Sequence, residues 1–203
     1  MKYKIKTIGA KIKRSFMRPP LPDLEEKIIN LHLGCGSINH PKFINIDGLP
    51  APHIHYIRSI EKLSIFDDNS VDLIYASHCL EHFKYNCVSS VLVEWFRVLK
   101  KSGILRLSVP DFDLLLDIYK KNGNNINAII EQLMGGQNHK YNFHYTAFNK
   151  SNLDSFLLET GFETVREWQP GSCEYTTFDD FSTYKKNING KLYPVSLNLE
   201  AVK

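Results

Sequence analysis

Several features that would assign this chain to a specialised class are missing from its sequence. No apolar run approaches the ~18 residues of a membrane-spanning helix. The basic N-terminus is not followed by the apolar core of a secretory signal, so we expect no signal peptide. The four cysteines form no C-x-x-C pair, which favours reduced thiols in a cytoplasmic protein. With 43% hydrophobic and 23% charged residues over 203 positions, the composition is that of one globular domain.

Two common phosphate-binding signatures are incomplete or missing. The dinucleotide fingerprint G-x-G-x-x-G places a pyrophosphate on a helix N-terminus. Residues 34–39 read G-C-G-S-I-N, so Asn39 stands where the third glycine is needed. The phosphate-loop pattern G-x-x-x-x-G-K-[ST] does not occur in the chain. The sequence therefore predicts neither kind of phosphate site.

Two short segments nevertheless have the form of a nucleoside site. A buried strand runs into the G-C-G turn at residues 34–36, and a second apolar strand, residues 43–46, ends at Asp47. Glycine lets the backbone turn tightly under a ligand, and a carboxylate ending the next strand can accept both hydroxyl hydrogens of a ribose. Because no pyrophosphate site accompanies them, the pair favours S-adenosylmethionine over NAD. A turn that binds no ligand is the alternative.

The net charge of +3 hides an asymmetry between the N-terminus and the rest of the chain. Residues 1–22 hold seven of the 25 lysines and arginines and no acid, so 18 basic residues face 22 acidic ones in the remainder. Residues 1–18 carry an apolar stripe at helical spacing. Such a segment can lie on an anionic membrane or dock on a partner, and a solvated tail is the alternative. The acidic body argues against nucleic acid as the main partner.

Strands and helices alternate along residues 23–203, which we interpret as a single domain. Strands are predicted over residues 27–33, 43–46, 53–57, 71–76, 104–109, 162–168 and 195–202. Helical spacing is predicted over residues 79–99 with a break near Asn86 and a stop at Gly103, then over 111–121, 126–133 and from a Ser151 cap to Thr160. Residues 135–150 form an aromatic, histidine-rich loop. This alternation predicts a mostly parallel sheet with helices on both faces, and a ligand site at the carboxyl ends of the strands.

Four segments together resemble the class I S-adenosylmethionine-dependent methyltransferases. Residues 31–36, L-H-L-G-C-G, look like the first motif of that family, and residues 44–47, I-N-I-D, look like the second. Residues 66–83 are similar to the fourth-strand motif of the type 11-like subgroup related to ubiquinone-pathway enzymes. Residues 94–103 match the helix and turn before the fifth strand. A closer subgroup, often linked to glycan and cell-surface biosynthesis, shares the N-F-H stretch near His144 and a similar C-terminus.

The resemblance implies an α/β, Rossmann-like, doubly wound sheet of seven strands, mostly parallel with the last strand antiparallel. It also implies which residues contact the cofactor. The cofactor-binding residues expected from it are Gly34, Cys35, Gly36, Asp47, Gly48, Ile60, Glu61, Ser77 and His82. Two positions depart from the family pattern. His32 stands where many relatives have an acid that helps to place the methionine amino group. Near the third strand, where relatives often carry an acid for the adenine amine, residues 58–61 read R-S-I-E, which leaves Glu61 or a backbone group for that role.

Methyl transfer to a hydroxyl would need a base, and histidine is the natural one near neutral pH. His144 in the aromatic loop is the first candidate, with packing of the loop as the alternative. His78 after the fourth strand and Asp111 after the fifth are further candidates, although Asp111 can also serve only as a helix cap. His82 after the fourth strand and His139 in the same loop are also candidates, with packing near the cofactor as the alternative for His82.

Residues 78–82 also read H-x-x-E-H, the inverted zinc-peptidase signature. That interpretation needs a third ligand and leaves the glycine turn without a purpose, so we predict no metal site and keep a zinc hydrolase as a remote alternative.

The sequence therefore predicts methyl transfer from S-adenosylmethionine, first of all to a hydroxyl of a sugar or glycan precursor. The sugar follows from the resemblance alone. Small lipid or quinone-like acceptors are the next alternative, with the basic N-terminus at a membrane. A module that binds cofactor or partner without turnover is the third. Residues 174–186, rich in aromatic and acidic side chains, are expected to close over the acceptor.

Overall fold

The computed structural model describes residues 19–22, 28–175 and 178–203; the predicted amphipathic segment, residues 1–18, lies outside the described residues. The strands are β1 Asn30–Leu33, β2 Ile44–Asp47, β3 Tyr56–Ile57, β4 Val71–Ser77, β5 Leu99–Pro110, β6 Thr164–Glu167, β7 Lys185–Ile188, β8 Lys191–Pro194 and β9 Ser196–Val202. The α-helices are α1 Val88–Val98, α2 Phe112–Lys121, α3 Ile130–Met134 and α4 Lys150–Thr160. None of the helices in these ranges has the length and hydropathy needed to cross a bilayer.

The main sheet has seven strands in the order β3-β2-β1-β4-β5-β9-β6. Pairing is parallel from β3 through β5, whereas β9 lies antiparallel between β5 and β6. This confirms the predicted Rossmann-like sheet with an antiparallel last strand. The strand order reverses between β1 and β4, which is where ligands bind in open α/β sheets. The hairpin of β7 and β8 forms a separate two-stranded sheet and was not predicted.

The long helix predicted for residues 79–99 is interrupted. Two short 3₁₀ turns, Leu80–His82 and Tyr85–Cys87, precede α1, so the break near Asn86 is confirmed as a change of helix type. The predicted stop at Gly103 is wrong, because α1 ends at Val98 and β5 begins at Leu99. The chain instead passes through a register shift against β4, where Ser102 adopts a φ of 63°.

The cap of α4 also differs from the prediction. Asn149, rather than Ser151, caps the helix, because its side chain accepts from the backbone N–H of Asn152 while the Asn152 side chain accepts from the N–H of Asn149. The predicted end at Thr160 is confirmed, since Gly161 follows it as the C-cap with a φ of 115°.

The two faces of the sheet are covered differently. On one face, α1 and α4 pack on the apolar side chains of the central strands, with Trp95 and Leu157 fully buried. On the other face, a cluster built around Phe43, Tyr75 and Phe178 covers β1 and β4. Within the described ranges, this second cover comes largely from the non-helical chain after β6. The alternation of strands and helices along the sequence had by itself predicted helices on both faces.

A row of two ion pairs, centred on the buried carboxylate of Glu200, holds the antiparallel strands in register on that second face. Arg106 on β5 donates to Glu200 on β9 at 2.6 Å, and Arg166 on β6 donates to the other carboxylate oxygen at 2.9 Å. Burial opposes the ionisation of Glu200, but the two guanidinium groups outweigh it and lower the pKa of this carboxyl group below its usual value. The row fixes β9 beside β5, so that Ser196 comes to lie at the carboxyl end of the sheet.

Candidate cofactor and active site

The turn after β1 is shaped by two glycines in the left-handed region. Gly34 has a φ of 61° and Gly36 a φ of 54°. A Cβ on Gly34 would lie 2.3 Å from Sγ of Cys79, whereas a Cβ on Gly36 would meet nothing within 4 Å. Gly34 is therefore needed for close packing against the chain after β4. Gly36 leaves open space over the turn, where a ligand can approach the backbone.

Asp47 closes β2 directly against this turn. Its Oδ2 accepts from the Gly36 N–H at 3.0 Å, and its Oδ1 accepts from the Leu49 N–H at 2.7 Å. Each oxygen retains accepting capacity, so the carboxylate is held in place and can still receive ribose hydroxyls. His53 contacts the same turn, with Nε2 3.0 Å from the Gly36 carbonyl oxygen. These residues fit an adenosyl group.

Cys35, inside the turn, is a packing residue rather than a reactive one. Its side chain is buried. Burial first, and then the nearby charge of Asp47, raise the pKa of the Cys35 thiol well above its usual value. The thiol is therefore neutral, and thiolate chemistry at this position is disfavoured.

His32, which stands where many relatives have an acid, lies in an enclosure of aromatic side chains. The ring is 2% exposed, stacks on Phe178 at 5.4 Å and meets Tyr75 edge-on at 5.1 Å, while its Nδ1 has no hydrogen-bond partner among the described residues. Burial lowers the pKa of His32 to about 3, so the ring is neutral. A neutral ring covered by Phe178 does not replace the acid of the family pattern, and the methionine end of the cofactor is therefore not matched at this position.

The two residues expected near the adenine lie on different sides of the chain after β3. The Ile60 side chain reaches towards Gly34, and its carbonyl oxygen accepts from Nε1 of Trp95 at 2.8 Å. Glu61 is exposed and borders a surface depression with Ser90 and Arg97. Ile60 thus lies next to the glycine turn, whereas the adenine-binding role of Glu61 stays a prediction.

Ser77 and the two residues after it connect β4 to the glycine turn. Ser77 ends β4, and its carbonyl oxygen accepts from the Cys79 thiol at 3.2 Å. The same thiol also lies 3.2 Å from the Leu33 carbonyl oxygen. His78, between them, has a φ of 51°, which directs the chain abruptly out of the strand. The residues that follow are therefore brought to the carboxyl edge of the sheet beside the turn.

Three histidines surround one buried carboxylate at this edge. Glu81 is fully buried, and its Oε1 lies 3.3 Å from Nδ1 of His78 and 3.9 Å from Nε2 of His144. The rings of His82 and His144 have centroids 4.8 Å apart. The structure thus brings together the predicted residues His78, His82 and His144. Glu81 at the centre was considered at the sequence level only as part of the zinc-peptidase motif.

The protonation of this cluster follows from burial and charge. Burial opposes the ionisation of Glu81, but the neighbouring imidazoles outweigh it and lower the pKa of this carboxyl group. Burial also lowers the pKa of His144, with the charge of Glu81 working in the opposite direction. A carboxylate beside a neutral His144 is therefore the favoured state near neutral pH.

The aromatic loop is fastened over the edge of the sheet by backbone hydrogen bonds. The carbonyl oxygen of Glu81 accepts from Tyr145 at 2.8 Å, and Oγ1 of Thr146 donates to the Phe83 carbonyl at 2.8 Å. Earlier in the same loop, the Tyr141 ring lies against Gly48, where a Cβ would come within 2.8 Å of it. The loop therefore spans from the histidine cluster to the residue after Asp47. Nothing in the local sequence pairs Tyr141 with Gly48, and that contact was missed.

Asp111 acts as a helix cap. Its Oδ1 accepts from the Asp113 N–H at 3.0 Å, at the start of α2. Burial raises the pKa of this carboxyl group. The capping alternative is thus confirmed, and a catalytic role for Asp111 stays a prediction. His139 lies outside the histidine cluster, where its Nδ1 accepts from the Tyr141 N–H.

The zinc-peptidase interpretation lacks its helix. His78 follows β4 in the left-handed region, and His82 ends a 3₁₀ turn of three residues. The two histidines therefore do not lie one turn apart on an α-helix, which that signature requires.

Comparisons with known proteins agree with this geometry. Residues 42–107 match the family model described as "Methyltransferase domain". No curated protein matches the chain. Among solved structures, a methyltransferase from Thermotoga maritima is similar at 16% identity over 100% of both chains, with a TM-score of 0.58.

Two further solved structures have the same fold. An S-adenosylmethionine-dependent methyltransferase from Archaeoglobus fulgidus is 15% identical, covering 98% of this chain and 94% of its own, with a TM-score of 0.54. A 1,6-didemethyltoxoflavin N1-methyltransferase from Burkholderia thailandensis, solved with S-adenosylhomocysteine, is 13% identical, covering 96% and 76%, with a TM-score of 0.54. With the strand order of the main sheet, these likenesses show that the chain has the fold of these S-adenosylmethionine-dependent methyltransferases, and within it residues 42–107 match the methyltransferase domain model.

Proposed function

We propose that the chain is a class I methyltransferase that transfers a methyl group from S-adenosylmethionine, its cofactor, to a hydroxyl oxygen of a sugar or glycan precursor. The observation that carries the proposal is the cluster of imidazoles around Glu81, placed beside the glycine turn and flanked by exposed aromatic side chains. The cofactor, when bound, supplies an electrophilic methyl group. A hydroxyl acceptor must lose a proton during attack, and this cluster holds the groups that can accept one.

Within the cluster, His144 is the residue that fits the base best. Its Nδ1 lies 2.9 Å from the Gln132 carbonyl oxygen, and a carbonyl only accepts, so Nδ1 carries the proton. Nε2 therefore has a free lone pair, and the lowered pKa keeps it unprotonated near neutral pH. His78 is second, because its Nε2 is engaged by Ser196 at 2.8 Å.

Exposed aromatic rings flank the cluster from two directions. Tyr141 and Tyr145 extend from the aromatic loop, and Phe181 and Tyr184 extend from the chain before β7. The Phe181 ring lies 5.1 Å from that of His78. Rings of this kind can stack on the apolar face of a sugar while its hydroxyls reach the polar cluster. This supports the expected closure of residues 174–186, of which 176 and 177 are not described.

The proposal is tested by methyl release with pools of sugar nucleotides, lipids and quinone-like compounds. We expect turnover with a sugar pool and a product methylated on oxygen. His144→Ala should lower kcat by a factor of about 10²–10⁴, the usual contribution of a positioned base, with little change in the Kd of the cofactor. His139→Ala, in the same loop but outside the cluster, serves as the control and should retain turnover. Turnover only with lipids or quinones, or an unchanged kcat in His144→Ala, would contradict the proposal.

A further inference from the structure

The hydrogen bonds around Glu81 leave few hydrogen-bond donors facing its carboxylate group. The Glu81 side chain is fully buried, and among the described residues its Oε2 has no hydrogen-bond partner, while its Oε1 is approached only loosely by Nδ1 of His78 at 3.3 Å. Nδ1 of His82 lies 3.0 Å from the Phe143 carbonyl oxygen, and Nδ1 of His144 lies 2.9 Å from that of Gln132. Because a carbonyl only accepts, each Nδ1 carries the hydrogen and each Nε2 is left with a lone pair.

Among the described residues, no hydrogen-bond donor faces these lone pairs at the centre of the cluster. Nε2 of His144 lies 3.9 Å from Oε1 of Glu81, and one ligand atom from each of Glu81, His82 and His144 lies within 4.8 Å of the others. A buried carboxylate beside two imidazole lone pairs is unfavourable unless a positive charge joins them. His78 approaches one oxygen at 3.3 Å, which is too little to satisfy both.

We propose that Glu81, His82 and His144 bind a divalent first-row transition-metal ion. Two imidazole nitrogens and a carboxylate suit zinc, cobalt, nickel, iron or manganese better than calcium or magnesium, which prefer oxygen ligands alone. The backbone carbonyls behind His82 and His144 are the outer partners that metal-binding histidines usually have. The three ligands come from the turn after β4 and from the aromatic loop, so the site forms only when the loop is docked. His78 acts as a positioning residue for Glu81.

The site lies beside the glycine turn, and this gives the ion a function that rests on the proposed one. An ion held by three protein ligands has open positions at which an acceptor hydroxyl can bind, and binding lowers the pKa of that hydroxyl so that its proton leaves to solvent. In this arrangement the Nε2 lone pair of His144 contacts the ion rather than the acceptor's proton. Loss of turnover in His144→Ala is expected in either case, and metal binding separates the two roles.

The test is a metal titration in the absence of acceptor. The full chain is treated with a chelator, dialysed, and titrated with Co²⁺ followed by its visible d–d bands, and with Zn²⁺ followed by calorimetry. We expect one equivalent of either ion and bands of a low-symmetry nitrogen and oxygen site. Glu81→Gln and His144→Gln should each weaken binding by about tenfold or more, whereas His139→Gln should retain the wild-type titration.

The outcomes are separable from those of the proposed function. Absence of Co²⁺ bands in the wild type, or equal affinity in Glu81→Gln and the wild type, overturns the metal site. Because Glu81→Gln can fail to fold, the wild-type spectrum and the half-buried His144→Gln variant decide the matter alone. Stoichiometric binding without methylation of any hydroxyl supports the metal site while refuting the proposed acceptor. Undiminished methylation in chelator, together with absent Co²⁺ bands in the titration, refutes the site and leaves the acceptor proposal intact.

Discussion

Gly34 and Gly36 share a positive φ but differ in what surrounds them. The position of Gly34 is closed by Cys79, whereas that of Gly36 opens into free space. Both would be strained by any side chain, since the left-handed region costs an L-residue roughly 1–2 kcal/mol. A comparison of substitutions at the two positions therefore separates the effect of packing on stability from the effect of backbone strain.

We predict that Gly34→Ala destabilises the fold more than Gly36→Ala, by about 1–3 kcal/mol for the added overpacking. Adding Cys79→Ala to Gly34→Ala should recover part of that loss, because it removes the sulfur 2.3 Å from the new Cβ. Gly36→Ala should instead lower cofactor affinity, because its methyl group enters the open space. Urea unfolding and calorimetry measure the two effects, and equal unfolding free energies for the two single variants would contradict this account.

His32 carries a second consequence at the residue scale, because it is buried without a charge partner. Its pKa falls from the ordinary value of 6.5 to about 3 in the folded chain. The unfolded chain therefore binds a proton on this residue between these two pH values and the folded chain does not. Folding stability from this group is complete above pH 6.5 and declines as the pH falls towards 3.

We predict that His32→Phe, which keeps an aromatic ring in the Phe178 cluster, flattens the acid side of the stability curve. Relative to the wild type, the variant should gain up to about 1.4 kcal/mol of unfolding free energy per pH unit between pH ~6 and ~4. Urea unfolding at a series of pH values measures this. A constant difference between the two proteins across that range would show that the ring is protonated or solvated in the fold.

At the scale of elements, the aromatic loop joins the two parts of the site, which are the histidine cluster around Glu81 and the glycine turn beside Asp47. His144 in this loop lies beside Glu81, and Tyr141, shortly before it, lies against Gly48. Internal bonds such as that from the Gln137 N–H to the Asn142 carbonyl, at 2.8 Å, keep the loop compact. A disturbance at Gly48 should therefore be felt along the loop.

We predict that Gly48→Ala loosens this loop without changing global stability, because Gly48 has an ordinary φ and the atoms nearest to its new Cβ all belong to the Tyr141 side chain. Hydrogen exchange should rise for the amides of Gln137 and Asn142. The double variant Gly48→Ala with Tyr141→Ala removes the collision, so the glycine substitution should add no further exchange to that of Tyr141→Ala. Additive effects of the two changes would place the loop's anchor elsewhere.

Element boundaries show where local sequence was sufficient and where it was not. The apolar runs of β1, β2 and β4 and the limits of α2 and α4 have local causes, and they were predicted to within a few residues. The end of α1 was not predicted correctly, because Leu99 already belongs to the sheet. The lysines after it lie in β5, where Lys100 pairs with Asp72 at 2.7 Å. The β7–β8 hairpin was missed because its strands are largely exposed and lack an apolar alternation.

For the molecule as a whole, alternation predicted a mostly parallel sheet, and family resemblance supplied the antiparallel last strand. The ribose side of the site could be read from Gly36 and Asp47, which lie close in sequence. The enclosure of His32 by Phe178 and the convergence of Glu81 with His144 could not, because they join residues far apart in the chain. Such contacts depend on how the segment after β6 and the aromatic loop return to the sheet.

The central claim is that the turn at Gly36 and the carboxylate of Asp47 together hold the adenosyl group, and calorimetric titration with S-adenosylhomocysteine tests it most directly. Loss of hydrogen bonds to a charged group should weaken binding by about 1.5–3 kcal/mol in Asp47→Ala. Asp117→Ala, which removes an exposed acid from α2, should leave the Kd unchanged. A wild-type Kd in Asp47→Ala, measured on a protein with an unchanged circular dichroism spectrum, would contradict the account.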